Sequence, residues 1–247
     1  MRSAPPRRQR HHQTRRALVI AGGWAHPAAS TGPPTAAALE ACGLGIDIDI
    51  NVDMVSEMDA AAERIERGDI DLLVVHTCRF QMLDARYRAE QRAEHAYITS
   101  PAVRSAFANH LDAGRPMFAL HTAPISFDDW ERWPSLVGAT WNWERSNHPP
   151  PGRFTVELAG DHPVTAGLTP FSIVDELYRF VEPAIDAEVL ASASDDTGIV
   201  HPIVWLHHAG PARVAYDALG HDQRSLDNIA HRALIARLLD WLLDADQ

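Results

Sequence analysis

The chain has 247 residues, is 46% hydrophobic and carries a formal net charge of −11, which is ordinary for a globular protein with a substantial core and excludes disordered and fibrous classes. All 22 basic residues are arginine, because the sequence contains no lysine. A lysine Schiff base, a lysine general base and a Walker-A phosphate site are therefore excluded.

The positive charge is concentrated at the amino terminus. Six arginines and no acidic residue occur in residues 1–16, which leaves 16 arginines against 33 acidic residues, a charge of −17, for the remainder. Such an acidic body repels phosphate backbones, so no nucleic-acid partner is expected. Residues 1–16 lack apolar periodicity and are interpreted as a disordered basic tail, and residues 17–247 as a single domain.

The apolar content of the chain is spread over short segments. No stretch is long enough for a secretory signal or a bilayer span, so no membrane association is expected. The two cysteines, Cys42 and Cys78, form neither a disulfide framework nor a paired metal motif. A cytoplasmic, reducing location is the default expectation.

Strands and helices alternate along the first half of the chain. Residues 17–22 form an apolar run ending in glycine, which is typical of a buried strand, whereas residues 46–52 alternate between apolar and polar types, which is typical of an edge strand. Further buried strands are predicted at 71–76 and 117–120. Helices are predicted at 34–42 with Gly43 as C-cap, at 56–67 with Ser56 as N-cap, and from Pro101 to Leu111 after Thr99 and Ser100.

This order predicts an α/β fold, an open, doubly wound and mainly parallel sheet with helices on both faces in a three-layer sandwich. The second half is less regular, and a helical turn or two is predicted at 127–133. Strands are predicted at 154–158, 188–192, 202–206 and 212–218, the last two as a hairpin, and an amphipathic helix at 228–243.

Four of the 14 histidines follow or end predicted strands. The ligand crevice of a doubly wound sheet lies beyond the carboxyl ends of its strands, so these side chains are expected to converge there. Imidazole suits acid/base catalysis and, when neutral, zinc binding. The four are His26, His76, His121 and His221. A surface position is preferred for His11, His12, His95, His207, His208 and His231.

The segment from Met117 to Ala123 has the position of a nucleophile elbow, the strained turn that exposes a serine or cysteine in hydrolases. Its tip is His121. Cys78 is the cysteine nearest the predicted crevice, and we interpret it as a small buried hydrophobe. The Gly22–Gly23 turn lacks the rest of a dinucleotide-binding fingerprint.

Several segments, in this order, resemble the ThuA-like, trehalose-utilisation family over residues 17–244. They are Leu120–Ala123 with Phe127–Trp130, Ser146–His148, Asp161–Leu168, Asp175–Tyr178, His201–Trp205, Gly210–Tyr216 and Leu219–Asp222. The resemblance implies a flavodoxin-like, class I glutamine-amidotransferase-like fold and a role in disaccharide catabolism on a small-molecule sugar derivative such as a keto-sugar.

Two departures qualify what the resemblance implies. Many relatives have glycines after the elbow histidine, where this chain has Thr122 and Ala123. Like its relatives, the chain also lacks the elbow cysteine of true glutamine amidotransferases, so thioester chemistry is not expected.

The leading hypothesis is a sugar-modifying enzyme whose catalytic residues are His121, His221, Glu176 and Asp222. His121 would be the central acid/base or a metal ligand, with His221, oriented by Asp222 or a backbone carbonyl, as its partner. Glu176 would be a second acid/base. The expected substrate contacts are His26, His148, Gly23, Trp24 and Trp130. If a divalent metal such as zinc is a cofactor, its expected ligands are His26, His121 and His221.

The sequence also allows other functions for the protein and another role for Asp175 and Glu176. A non-catalytic sugar-binding or regulatory module with an amidotransferase-like fold predicts histidines without mutual contact. Amidotransferase chemistry at Cys78 ranks last. Asp175 and Glu176 could be a helix-start or surface pair, and self-association into a homo-oligomer is left open.

Overall fold

The computed structural model describes residues 14–45 and 49–244. Within them, nine strands form one sheet in the order β2-β1-β3-β4-β11-β10-β9-β6-β7, and β5 and β8 form a two-stranded sheet. The strands are β1 (Thr14–Gly23), β2 (Asp49–Val55), β3 (Leu72–Cys78), β4 (Met117–Leu120), β5 (Ala139–Thr140), β6 (Gly152–Leu158), β7 (Phe171–Asp175), β8 (Glu182–Pro183), β9 (Glu188–Ser194), β10 (Val200–Ala209) and β11 (Ala212–Asp217). The helices are α1 (Ala28–Gly45), α2 (Met58–Glu66), α3 (Ala89–His95), α4 (Pro101–Asp112), α5 (Trp133–Val137), α6 (Gln223–Leu226) and α7 (Ile229–Leu243), and a 3₁₀ helix, Ala123–Ile125, follows β4.

The parallel part of the sheet comprises β2, β1, β3, β4 and β11. Every residue of β3 is buried, which requires cover on both faces of the sheet. α1 packs against α7, and α2 packs against α4. The predicted α/β fold is confirmed, although β10, β9, β6 and β7 extend the sheet with antiparallel pairs and make it mixed.

The first strand begins earlier than predicted, and part of the predicted second strand lies outside the described residues. Residues 14–16, assigned to the tail, belong to β1, because they pair with residues 49–51 of β2. The Arg16 N–H donates to Asp71, and its guanidinium lies 2.8 Å from Asp69. Residues 1–13 and 46–48, which include parts of the predicted tail and second strand, lie outside the described residues. β2 is at the edge of the sheet, as predicted.

Three helix boundaries differ from the predictions, which relied on proline, glycine and serine as signals of helix ends. α1 contains Pro33 and Pro34 and continues past Gly43; the carbonyls that the prolines leave without a donor belong to exposed residues 29 and 30, where water is available. Ser56 does not cap α2, whose N-cap is Glu57. Residues 127–132 form turns, and the helix begins only at Trp133.

Three further predictions are confirmed, whereas α3, β5, β7, β8 and α6 were not predicted. Ser100 caps α4 ahead of Pro101, the β10–β11 hairpin forms, and α7 begins after Asn228. Among the described residues, none of the helices is both long and apolar enough to cross a membrane.

A buried histidine in α4 is expected to make the stability of the fold depend on pH. Burial lowers the pKa of His110 to about 4, whereas the unfolded chain titrates near 6.5. Between these values the unfolded state binds more protons, so the free energy of unfolding falls as the pH falls, by up to about 3 kcal/mol for this residue. Urea titrations from pH 7 to 4 measure this loss.

His110→Gln provides the control, since the amide retains a donor for the Pro116 carbonyl that His110 Nε2 contacts at 3.1 Å. The variant is expected to lose less stability on acidification than the parent. If the free energy of unfolding fell equally with pH in the two proteins, protonation of His110 would not be the cause of the loss.

Candidate functional site

The carboxyl ends of β1, β3, β4 and β11 meet at one edge of the sheet, as parallel strands require. His26, His121 and His221 follow β1, β4 and β11, and Glu176 follows β7. These four side chains each present one nitrogen or oxygen, and the four atoms lie within 4.8 Å of one another. The histidine–glutamate cluster, as we name this set, is the candidate site.

Short distances join the members of the histidine–glutamate cluster. His221 Nδ1 lies 3.3 Å from both His26 Nε2 and His121 Nε2. Glu176 Oε2 lies 3.3 Å from His221 Nδ1, 3.4 Å from His121 Nε2 and 3.2 Å from His148 Nδ1. The scattered arrangement predicted for a non-catalytic module is not observed.

His121 occupies the tip of a strained turn, as the elbow position predicts. Its φ angle is +47°, which is unusual for a residue other than glycine. The Nδ1–H donates to the Ala218 carbonyl at 2.8 Å, and Nε2 faces the cluster, 3.3 Å from His221 Nδ1. The Tyr178 hydroxyl is 3.3 Å from His121 Nε2 and can donate to it.

His26 is held in the same tautomer by a different backbone group. Its Nδ1–H donates to the Trp24 carbonyl at 3.2 Å, which leaves Nε2 to face His221. Burial, together with the neighbouring His121, lowers the pKa of His26 to about 3. His26 is therefore a neutral imidazole at physiological pH, the form that binds metals.

Glu176 supplies the negative charge of the cluster. Burial by itself would raise the pKa of this carboxyl, but His121, His148 and His221 outweigh it and hold the pKa below the ordinary value. Although Oε2 is buried and close to three ring nitrogens, it makes no hydrogen bond of acceptable geometry with any described residue. A cation at the centre of the cluster would satisfy this oxygen, and three imidazoles with one carboxylate suit zinc and similar divalent ions.

Asp175 fixes the backbone on both sides of the site. One carboxylate oxygen accepts from the Gly220 N–H at 2.8 Å, and the other accepts from the N–H groups of Glu176 and His221 at 2.7 and 3.3 Å. Asp175 and Glu176 are 1% and 7% exposed, so the surface alternative for this pair is wrong. The carboxylate ties two members of the cluster together through their main chain.

A cavity of about 280 Å³ opens from the cluster. Buried and half-buried aromatic side chains line it, together with Arg86, Asn147 and His148. The aromatic residues include Trp24, Phe80, Tyr87, Trp141, Trp143 and Tyr178. The cavity can therefore enclose a small ligand between flat apolar surfaces and present it to the cluster.

The family model for ThuA, described as trehalose utilisation, matches residues 16–242. The chain belongs to the ThuA family. A ThuA-like protein from Bacteroides uniformis has a TM-score of 0.72 and 18% identity over 99% of this chain and 97% of that one. A ThuA-like protein from Parabacteroides merdae has a TM-score of 0.69 and 15% identity over 95% and 90%.

A β-galactosidase from Rahnella sp. R3 also shares the fold of this ThuA-family protein. Its TM-score is 0.57 at 17% identity, over 93% of this chain and 31% of the enzyme. At such identities the likeness of these structures shows the fold alone. None of the curated proteins compared with the chain matches it.

Three residues assigned to the site of the ThuA-family protein lie elsewhere. Trp130 stacks on Trp133 and is 7% exposed, outside the lining of the cavity. The Asp222 carboxylate caps α6 and pairs with Arg224 at 2.6 Å; the backbone of His221 is held by Asp175 instead. Gly23 is not among the residues that line the cavity, and its backbone packs against that of Cys78.

Cys78 lines the cavity but is poorly suited to be a nucleophile. The residue is 4% exposed, and burial raises the pKa of its thiol to about 12. The thiol is therefore protonated at neutral pH and weakly nucleophilic. The structure supports its interpretation as a small buried hydrophobe.

Sequence reasoning missed several residues at or near the site. Tyr178, Tyr87 and Asp175 carry no local signal of function, although the Asp175–Tyr178 segment belongs to the family resemblance. His231 and His207, assigned to the surface, are 0% and 7% exposed. His76 is fully buried beneath the site, with Nδ1 2.8 Å from Thr35 Oγ1 and its ring centroid 6.2 Å from that of His121.

Proposed function

We propose that this ThuA-family protein is an enzyme that acts on a carbohydrate derivative by acid/base chemistry assisted by a divalent metal. One observation carries the proposal: His26, His121, Glu176 and His221 converge within 4.8 Å at the base of an aromatic cavity. The description of the family as trehalose utilisation supports a sugar-derived substrate.

Zinc is the ion that we propose for the histidine–glutamate cluster. His26 and His121 each donate through Nδ1 to a backbone carbonyl, the arrangement that orients metal-binding histidines in other proteins. Glu176 would provide a fourth ligand and partly neutralise the charge of the ion. Such an ion, when bound, polarises a carbonyl or hydroxyl oxygen of the substrate.

His148 is the residue that we propose for proton transfer. Its side chain is 36% exposed and lines the cavity, while its Nδ1 lies 3.2 Å from Glu176 Oε2. Although burial acts against it, contact with Glu176 raises the pKa of His148 above the ordinary value. An imidazole that faces the cavity in this way can both accept and return a proton near neutral pH.

An oxidised sugar is the substrate class that suits these groups. A keto-sugar offers a carbonyl oxygen to be polarised and acidic C–H bonds beside it, from which His148 could take a proton. The apolar faces of a sugar ring can pack on Trp24, Trp141 and Trp143, which surround the cavity. We infer that binding depends on these tryptophans and that turnover depends on the cluster.

Chelation is expected to abolish turnover of a keto-disaccharide, and added Zn²⁺ is expected to restore it. The measurements are elemental analysis of untagged protein and product formation before chelation, after chelation and after re-addition of zinc. Zinc is also expected to raise the melting temperature, since it binds the folded state selectively. Undiminished turnover by metal-free protein would overturn the metal's role, and sugar binding without turnover would favour the non-catalytic module.

A further inference from the structure

A buried histidine–aspartate pair lies behind the histidine–glutamate cluster. His231 Nε2 is 2.8 Å from Asp217 Oδ2, and both side chains are 0% exposed. Although burial acts against it, Asp217 raises the pKa of His231 above the ordinary value. The pair connects the end of β11 with the first turn of α7.

The pair is hydrogen-bonded to the loop of residues 218–221. Asp217 Oδ1 accepts from the Leu219 N–H at 3.0 Å. His231 Nδ1 lies 3.0 Å from the Ser225 carbonyl. The Ser225 hydroxyl accepts at 3.1 Å from the Gly220 N–H, which also donates to Asp175 at 2.8 Å. The two central residues of the loop are therefore held from beneath.

The same loop controls two members of the cluster. The Ala218 carbonyl accepts the hydrogen bond that fixes the His121 ring, and His221 is itself a member. Gly220 has a φ angle of +107°, a conformation that lets the chain turn sharply between these two residues. A shift of the loop would move two of the four metal-binding atoms.

We propose that His231 and Asp217 are positioning residues that set the metal affinity of the cluster by holding residues 218–221. This inference rests on the proposed function only in taking the cluster as the metal site. Partners behind metal ligands typically change metal affinity or activity by about 10- to 100-fold.

The fold contains a matched control pair. His201 Nε2 lies 2.9 Å from Asp195 Oδ2, with both side chains 3% exposed. Asp195 accepts from the N–H groups of Thr197 and Ile199, so this pair holds the turn between β9 and β10. That turn carries no member of the cluster. His201 Nδ1 also accepts from the Phe180 N–H at 3.3 Å, four residues after Glu176, and within the described residues the pair makes no hydrogen bond with residues 218–221.

The test compares His231→Gln with His201→Gln in the full-length protein. Both substitutions are expected to lower the melting temperature, but His231→Gln alone is expected to weaken Zn²⁺ binding, by about 10- to 100-fold, in competition with a chromophoric chelator. Ser225→Ala, which keeps the ion pair and removes the hydroxyl that accepts from Gly220, is expected to weaken binding in the same direction. It serves as the site variant if His231→Gln does not fold.

A second measurement does not require zinc. In the metal-free protein, the imidazole ¹⁵N signals of His121 and His221 are expected to shift in His231→Gln and Ser225→Ala and to stay in place in His201→Gln. Unchanged signals and zinc affinity in both site variants, or equal changes in the control, would overturn the positioning role. A parent protein that binds zinc without turning over a sugar would contradict the proposed function but not this inference.

Discussion

Replacing His121 by asparagine is expected to weaken both zinc binding and turnover strongly while leaving the fold intact. Asparagine tolerates a φ of +47° better than most residues, and its amide NH₂ can take the place of Nδ1 as donor to the Ala218 carbonyl. What is lost is Nε2, the atom 3.3 Å from His221 Nδ1 and 3.4 Å from Glu176 Oε2. We expect zinc affinity to fall by more than about 100-fold, beyond the effect of removing an indirect partner.

Turnover of the substrate should fall with it, by at least about 100-fold, because the proposed chemistry depends on the bound metal. The measurements are zinc competition, steady-state kinetics and circular dichroism on the same preparation. His148→Gln is expected to separate the two effects, retaining zinc but losing turnover. His208→Gln, at an exposed position of β10, should change neither.

A His121→Asn protein that binds zinc and turns over substrate as the parent does would show that the cluster is not the reactive centre. If the His121→Asn variant loses secondary structure, Glu176→Gln becomes the variant that tests the cluster. That substitution removes the charge at Oε2 with little change in shape, and it is expected to weaken zinc binding as well.

Replacing Gly23 by alanine is expected to destabilise the fold by about 3 kcal/mol or more, through a combination of backbone strain and steric overlap. Gly23 has a φ of +115°, and a Cβ there would lie 2.2 Å from the Cys78 carbonyl oxygen and 2.6 Å from its carbon. The Trp24 N–H donates to that same carbonyl at 2.8 Å. Since the obstacle is backbone, β1 and β3 would have to separate, and the loop carrying His26 would move with them.

Urea unfolding of three glycine variants separates strain from overlap. Gly160 has neither a positive φ nor an atom within 4 Å of its Cβ position, so Gly160→Ala should change stability by less than about 0.5 kcal/mol. Gly198 has a φ of +85° in open space, so Gly198→Ala should cost about 1–2 kcal/mol from conformation alone. A loss in Gly23→Ala no larger than in Gly198→Ala would contradict the role of the Cys78 contact.

The strands of the first half could be predicted because burial on both faces leaves a local mark. Leu72 to Val75 are all apolar and all fully buried. The Ser100–Pro101 pair marks the start of α4 because a serine N-cap followed by proline is a local signal that does not depend on the rest of the fold. The position of β11 between β4 and β10 leaves no such mark. It depends on pairing Val214 with Met117, nearly a hundred residues away, and such long-range pairings follow from packing of the whole chain.

For the site, the sequence by itself determined which chemical groups are available: histidines at strand ends, no lysine anywhere, and no cysteine at the elbow. Only the tertiary structure decided which of them meet. It brings Glu176 against three histidines and places Trp130 in the core. The physical reason is that the residues at the end of a strand can be recognised from the local sequence pattern. The distance between side chains on different loops depends instead on strand order and on buried groups such as Asp175 that hold the loops in place.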